Sequence, residues 1–340
     1  MSTPPGIPVL RVGGDHTRAG RAIGEATAAV VRRMTDATDS RAVEAAVPYR
    51  EITRREMPNV VAELDGVAEG AGLDPELVFA ASVEELVDRY SEARGRCSDL
   101  AAIAPATPDG HIRIGHNNDL PAHNERDLVA IERRIDGEPT IFTIGLGPWL
   151  SVGFNSAGLS LTGNALAPND DRVGIPRLLQ VRDIVAQPTL DGALRSALHP
   201  ARASSYNNLL AHRDGGVVNV EGSGSDAELT SPGEEGTLAH TNHYVCERML
   251  AYEGDLEYAQ HSEVRYRRAL TWLADGHLTA ARMREALSDH TGGADALCRH
   301  VNAGATSQTV FWCIADVTEG RVTFGRGNPC NSTEQVYEFD

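Results

Sequence analysis

The chain has no lysine; all 31 of its basic residues are arginine. Schiff-base catalysis, pyridoxal phosphate attachment and a Walker-type phosphate loop each need a lysine, so none of them operates here. There is no basic surplus either. A net charge of −17 offers nothing to replace the counterions of nucleic acid or of an anionic membrane. No run of about 18 apolar residues occurs that would span a bilayer. Residues Met1 to Pro8 lack the basic and apolar regions of a signal peptide, so a cytoplasmic location is the expectation. The five cysteines (97, 246, 298, 313 and 330) are odd in number and include no C-x-x-C pair. In a reducing compartment that reads as free thiols, not a disulfide framework. Internal repeats and low-complexity tracts are missing too. What remains is 340 residues of ordinary soluble composition, enough for one large domain or two modest ones.

The pattern of the chain changes at Cys97. Before it the sequence reads as helical, with almost no strand character. Helices are predicted over 17–35, over about 50–69, and from Asp74-Pro75-Glu76 to about residue 93. Gly20 and Gly24, four apart on one face after His16, read as a close helix-packing surface; no G-x-G-x-x-G follows a strand there. From Cys97 onward, period-two and continuous apolar runs predict strands at 98–104, 111–116, 127–135, 139–145, 149–154 and 158–163. Pro108-Asp109-Gly110 joins the first two as a hairpin. Helices follow near 175–187 and 190–198, strands at 205–212 and 216–221, and helices at 262–274 and 278–289. Strands at 308–316, 320–325 and 335–339 close the chain, and 222–236 reads as a flexible acidic loop. This order predicts an α+β fold. It is a four-layer α/β/β/α sandwich, two sheets with helices outside, plus an N-terminal helical segment.

A cysteine that opens a strand-rich portion is the arrangement of an N-terminal nucleophile (Ntn) enzyme. There the precursor cuts itself, and the freed α-amine serves as base for its own residue. Taken alone, such a cysteine is more often a small buried hydrophobe. His240 and His243 lack a third and fourth ligand at zinc spacing, so no metal site is expected. Asn117, Asn118 and Asp119 read equally as a turn or a helix cap, and Asn155 and Asn164 as groups that satisfy backbone between strands. Cys298-Arg299-His300 suggests a Cys–His pair, yet adjacent residues on a strand face opposite ways. Cys246, Cys313 and Cys330 read as core or loop thiols.

Five segments, in order over nearly the full length, resemble the acyl-CoA:6-aminopenicillanate acyltransferase family, also called peptidase family C45 of the Ntn-hydrolases. The first is Cys97-Ser98-Asp99 with Gly115-His116-Asn117-Asn118-Asp119. The second is Gly153-Phe154-Asn155-Ser156-Ala157-Gly158-Leu159 with Asn164-Ala165-Leu166. His240-Thr241-Asn242-His243, Cys298-Arg299-His300 and Gly325-Arg326-Gly327-Asn328-Pro329-Cys330 complete the set. The resemblance implies an Ntn-hydrolase fold, autoproteolysis between Arg96 and Cys97, and acyl transfer or hydrolysis at an amide. Cys97 matches the nucleophile, Asn242 the residue that helps form the oxyanion hole, and Asp119 an acidic residue implicated in processing and catalysis. Arg326 falls near a family arginine close to the active site. The family commonly has glycine before the cysteine, whereas this chain has Arg96, whose carbonyl is the one to be cut.

The expectation is therefore an α chain of residues 1–96 and a β chain of 97–340 that stay associated, since the helices would otherwise expose apolar faces. The substrate is a small amide or N-acyl compound, turned over through an acyl-enzyme on Cys97 without a cofactor. Arg326, His240 and Asn164 are the candidate substrate contacts, and self-association into a homo-oligomer is left open. Transfer of the acyl group, from CoA or an amide, to an amine is the alternative. Two further readings are a cysteine hydrolase that never cuts itself, with His240 or His243 as base, and a silent Ntn-like binding scaffold.

Overall fold

The computed structural model describes residues 6–86, 96–301 and 306–339. Its first helices are α1 (His16–Thr35), α2 (Ser40–Glu56), α3 (Pro58–Ala71) and α4 (Pro75–Ala81). Asp15, Asp39 and Asp74 cap three of them by accepting the backbone N–H of Arg18, Ala42 and Glu76. The single helix expected over 50–69 is broken. Met57 leaves the helical region (φ −133°, ψ 61°), and Pro58 begins a new helix. α1 and α3 pack backbone to backbone. A Cβ on Gly20 would stand 1.9 Å from the Glu63 carbonyl oxygen, and one on Gly24 2.1 Å from that of Val67.

The strands β2 (Arg96–Ala102), β3 (Arg113–Pro121), β4 (Leu128–Ile135), β5 (Ile141–Leu146), β6 (Trp149–Asn155) and β7 (Leu159–Asn164) lie where period two predicts them, shifted at their ends. After α5 (Arg177–Ala186) and α6 (Leu190–Ala197) come β8 (Asn207–His212), β9 (Gly216–Gly222), β10 (Ala227–Thr230) and β11 (Thr237–His240). The chain ends with α7 (Leu256–Ala274), α8 (Ala280–Leu287), β12 (Ser307–Asp316), β13 (Arg321–Arg326) and β14 (Gln335–Glu338). Two further expectations are corrected. β10 lies inside the stretch read as a loop, a four-residue strand antiparallel to β9. The segment before Cys97 also contributes a strand, β1 (Val9–Gly14), parallel to β4 with Leu10 opposite Ile131. It is a six-residue edge strand with one buried residue, so no period-two signal marks it.

One sheet has the order β1-β4-β5-β6-β7-β8-β9-β10 and the other β11-β2-β3-β12-β13-β14. Phe142, Phe154 and Leu209 of the first meet Ile114, Phe311 and Phe324 of the second in a shared core. α5 and α6 cover the outer face of the eight-stranded sheet through Leu161, Leu210, Ile184 and Ala193. α7 and α8 cover the six-stranded sheet through Leu100, Trp312, Ala269 and Leu287. These are the four layers of an α/β/β/α sandwich, with α1–α4 packed beside it over β1, β4 and β6.

A buried ion network ties the first helices to the rest. Glu63 of α3 accepts from Arg133 at 2.9 Å and from Arg182 at 2.8 and 3.0 Å. Burial opposes its charge, but Arg182 and Arg133 hold its carboxyl well below the usual range.

Candidate active site

Period two along β2 places Cys97, Asp99 and Ala101 on one face, and Ala101 belongs to the core between the sheets. β3 lies antiparallel beside it, with Asn118 opposite Cys97 and His116 opposite Asp99. The hairpin thus gathers four polar side chains on its inner face. Cys97 is 6% exposed, and Asp99 and His116 are fully buried.

His116 donates from Nδ1 to Asp99 Oδ1 at 2.7 Å, on the same face of the hairpin as the Cys97 thiol. Asn118 Nδ2 donates toward Cys97 Sγ at 3.7 Å and lies 3.4 Å from His116 Nε2. Burial works against a charged His116, yet the charges and hydrogen bonds of Asp99 and Cys97 raise it to about 10. A proton that leaves the thiol therefore stays on the imidazole. Cys97, His116 and Asp99 thus share one buried face of the hairpin.

β11 lies antiparallel on the other side of β2, with His240 opposite Asp99, so the His-Thr-Asn-His segment passes Cys97. Asn242 Oδ1 accepts the Cys97 N–H at 2.8 Å. It also accepts from Arg265 of α7 at 2.9 Å, and the same guanidinium donates to the Cys97 carbonyl at 2.5 Å and to Ser98 Oγ at 3.2 Å. Asn242 Nδ2 is spent on the Ala165 carbonyl at 3.0 Å. Ser262 of α7 fixes the segment by accepting the Asn242 N–H at 2.5 Å.

Asp119 lies on the opposite face of β3, across from Arg96, at the junction expected to be cut. It accepts from Thr309 Oγ1 at 2.7 Å, while its other oxygen is buried without a hydrogen-bond partner. Burial is the main cause that raises it to about 6, against the pull of Arg265, Thr309, Arg299 and His116. Arg96 donates to Asp295 at 3.1 Å.

The remaining candidates sit further from the thiol. His240 bridges the sheets, with Nδ1 3.0 Å from Asn164 Oδ1 and Nε2 2.7 Å from Glu221 Oε1. Asn164 Nδ2 is buried with no hydrogen-bond partner. Arg326 shares the cross-strand row of Cys97 but lies three strands away, beyond Asn118 and Phe311. His243 is held against Ser262 at 2.8 Å, and burial lowers it to about 4.

The sequence reading missed His116, Asp99 and Arg265. A signal existed for each. Asp99 and His116 are two residues from Cys97 and Asn118 on strands of one hairpin. Arg265 interrupts the buried face of α7 between Ser262 and Ala269.

A model of the acyl-coenzyme A:6-aminopenicillanic acid acyl-transferase family matches residues 106–331, which is 226 of the 340. The chain belongs to that family. The acyl-transferase match begins after β2 and so does not include Cys97. Membership makes the chain an enzyme of the acyl-transferase type. No curated protein sequence is significantly similar to it. Among solved structures it is similar to an N-acylethanolamine-hydrolyzing acid amidase (NAAA) ortholog from Caenorhabditis elegans. That match has 15% identity and a TM-score of 0.46, covering 65% of this chain and 93% of that chain. It is also similar to a variant of conjugated bile acid hydrolase from Clostridium perfringens. There the identity is 11% and the TM-score 0.47, covering 72% of this chain and 97% of that chain. None of the helices among the described residues is long and apolar enough to cross a membrane.

Proposed function

We propose that the chain is an autoprocessing amidohydrolase that forms an acyl-enzyme on Cys97, with a small amide or N-acyl compound as substrate. The observation that carries this is the setting of one residue. The sulfur of Cys97 faces His116 and Asn118, while its nitrogen is fixed on Asn242.

In the first turnover the Cys97 sulfur attacks the Arg96 carbonyl, and the thiol proton goes to His116. The C–N bond breaks, the proton passes to the leaving Cys97 nitrogen, and Arg96 is left as a thioester. Water hydrolyses the thioester and restores the thiol. The freed α-amine has a pKa of roughly 8 and remains bonded to Asn242 Oδ1, where it can move the thiol proton in later turnovers. Asn164 Nδ2, or Asn242 Nδ2 once it releases the Ala165 carbonyl, supplies an oxyanion donor worth about 3 kcal/mol. Arg326 suits a substrate carboxylate through its bidentate fork. Hydrolysis is favoured over transfer because water needs no second binding site. Five free thiols fit a reducing, cytoplasmic setting.

The Asp99–His116 pair favours one second reading, a cysteine hydrolase that works uncut with His116 as base. His240 and His243 do not serve it, since both are held by other partners.

The test is turnover of a panel of fluorogenic N-acyl amides. The wild type should hydrolyse at least one, and Cys97→Ala none. The rate should rise with pH through about 6 as Asp119 gains the charge that steadies Arg265 against the Cys97 carbonyl. Asp119→Asn should flatten that rise. Stability moves the other way: a carboxyl raised by burial contributes most below its unfolded value near 4 and loses that contribution as pH passes about 6. Equal turnover by the wild type and Cys97→Ala would sink the reading.

A further inference from the structure

Far along the chain from the cysteine hairpin, four soft ligand atoms converge. They belong to His290 and Cys298 before β12, His300 two residues on, and Cys330 after β13; all four lie within 4.8 Å of one another. Cys298 Sγ is 3.7 Å from Cys330 Sγ, and His290 Nε2 is 3.1 Å from His300 Nε2. His300 Nε2 is 3.6 Å from Cys298 Sγ and 3.5 Å from Cys330 Sγ. A zinc tetrahedron with metal–sulfur bonds of about 2.3 Å and metal–nitrogen bonds of about 2.05 Å has edges of about 3.8 Å (S–S), 3.3 Å (N–N) and 3.6 Å (S–N). Four of the six edges here fall within about 0.2 Å of those values. A disulfide is a poorer account, because its sulfurs would stand about 2.05 Å apart and the two imidazoles would have no part in it.

We infer that His290, Cys298, His300 and Cys330 bind one Zn²⁺ as a closed, structural Cys₂His₂ site. Two thiolates and two neutral imidazoles fill the tetrahedron, so no position is left for water or substrate. Binding releases two protons, one from each thiol. Asn328 Nδ2 donates toward Cys298 Sγ at 3.6 Å and to the Arg299 carbonyl at 2.6 Å, which orients the Cys298 sulfur.

The site clamps the loop before β12 to the turn after β13. That loop carries Asp295, the partner of Arg96 at the expected cleavage junction. It also carries Arg299, whose N–H donates to the Thr309 hydroxyl that in turn donates to Asp119. The ion holds the outer wall of the junction in register, without touching the reacting atoms.

The experiment uses the reduced full-length chain, with metal content measured by mass spectrometry and apo protein titrated with Co²⁺ alone. The wild type should carry about one zinc per chain and, with Co²⁺, show the intense visible bands of a tetrahedral thiolate site that saturate at about one equivalent. Cys330→Ser and His290→Ala, both at exposed ligands, should lose the zinc and the bands. A wild type that binds neither metal, or Co²⁺ bands that persist in both variants, would overturn the assignment. So would a Cys298–Cys330 disulfide in protein purified without reductant.

Discussion

His116→Gln should slow self-cleavage at Cys97 by about 10²–10⁴-fold, the usual loss when a positioned acid–base group is removed. The argument rests on where the proton goes. In the uncut chain the Cys97 nitrogen is an amide and has no basicity to offer. His116, oriented by Asp99 at 2.7 Å and raised to about 10, is the basic group on the sulfur's face of the hairpin. Glutamine keeps much of the volume and some hydrogen-bonding capacity but holds no proton. Asp99→Asn should give a smaller loss, since the imidazole remains but its Nδ1–H loses the charged partner. The readout is a time course of the uncut chain on a denaturing gel, followed by turnover after cleavage is complete. If the α-amine takes over as base, His116→Gln should slow the first event far more than the second. Cleavage at the wild-type rate in His116→Gln would contradict this role.

Glu63→Leu should destabilise the protein by about 3–5 kcal/mol, the usual result when one partner of a buried ion network is removed. Arg133 is fully buried and Arg182 nearly so, and both point their donors at the lost carboxylate. Leucine fills the space and leaves two cations without their main counter-charge. The network also joins residues on either side of the Arg96–Cys97 bond, as does the pairing of β1 with β4. In a cut protein, Glu63→Leu should therefore let the two pieces separate on size exclusion where the wild type keeps them together. Chemical denaturation checks the stability; a loss below about 1 kcal/mol would mean the network is solvated in solution.

The long strands and outer helices were legible because their alternation is strong over six or more residues and turn residues bound them. β1, β10 and β11 were not, since none of these three edge segments carries a readable period. At the site, the motifs pointed to Cys97, and the fold puts Asn242 on its nitrogen. His116 and Asp99 stayed hidden for a specific reason. Their meeting depends on the register of β2 against β3, and the ten residues between those strands leave several registers open. Asp119 carries the acidic character the motif implies, but it faces Arg96 across the back of the strand, away from the sulfur. The Cys₂His₂ cluster was passed over because its ligands are drawn from 290–300 and from 330. No compact spacing links them until β12 and β13 fold back together.

The most direct test of the central claim is the intact mass of the purified wild type under denaturing conditions, beside Cys97→Ala. Two fragments that divide between Arg96 and Cys97 in the wild type, with a single uncut chain in the variant, are the predicted result. One uncut chain in both would contradict autoprocessing and leave Cys97 as a nucleophile that depends on His116 alone.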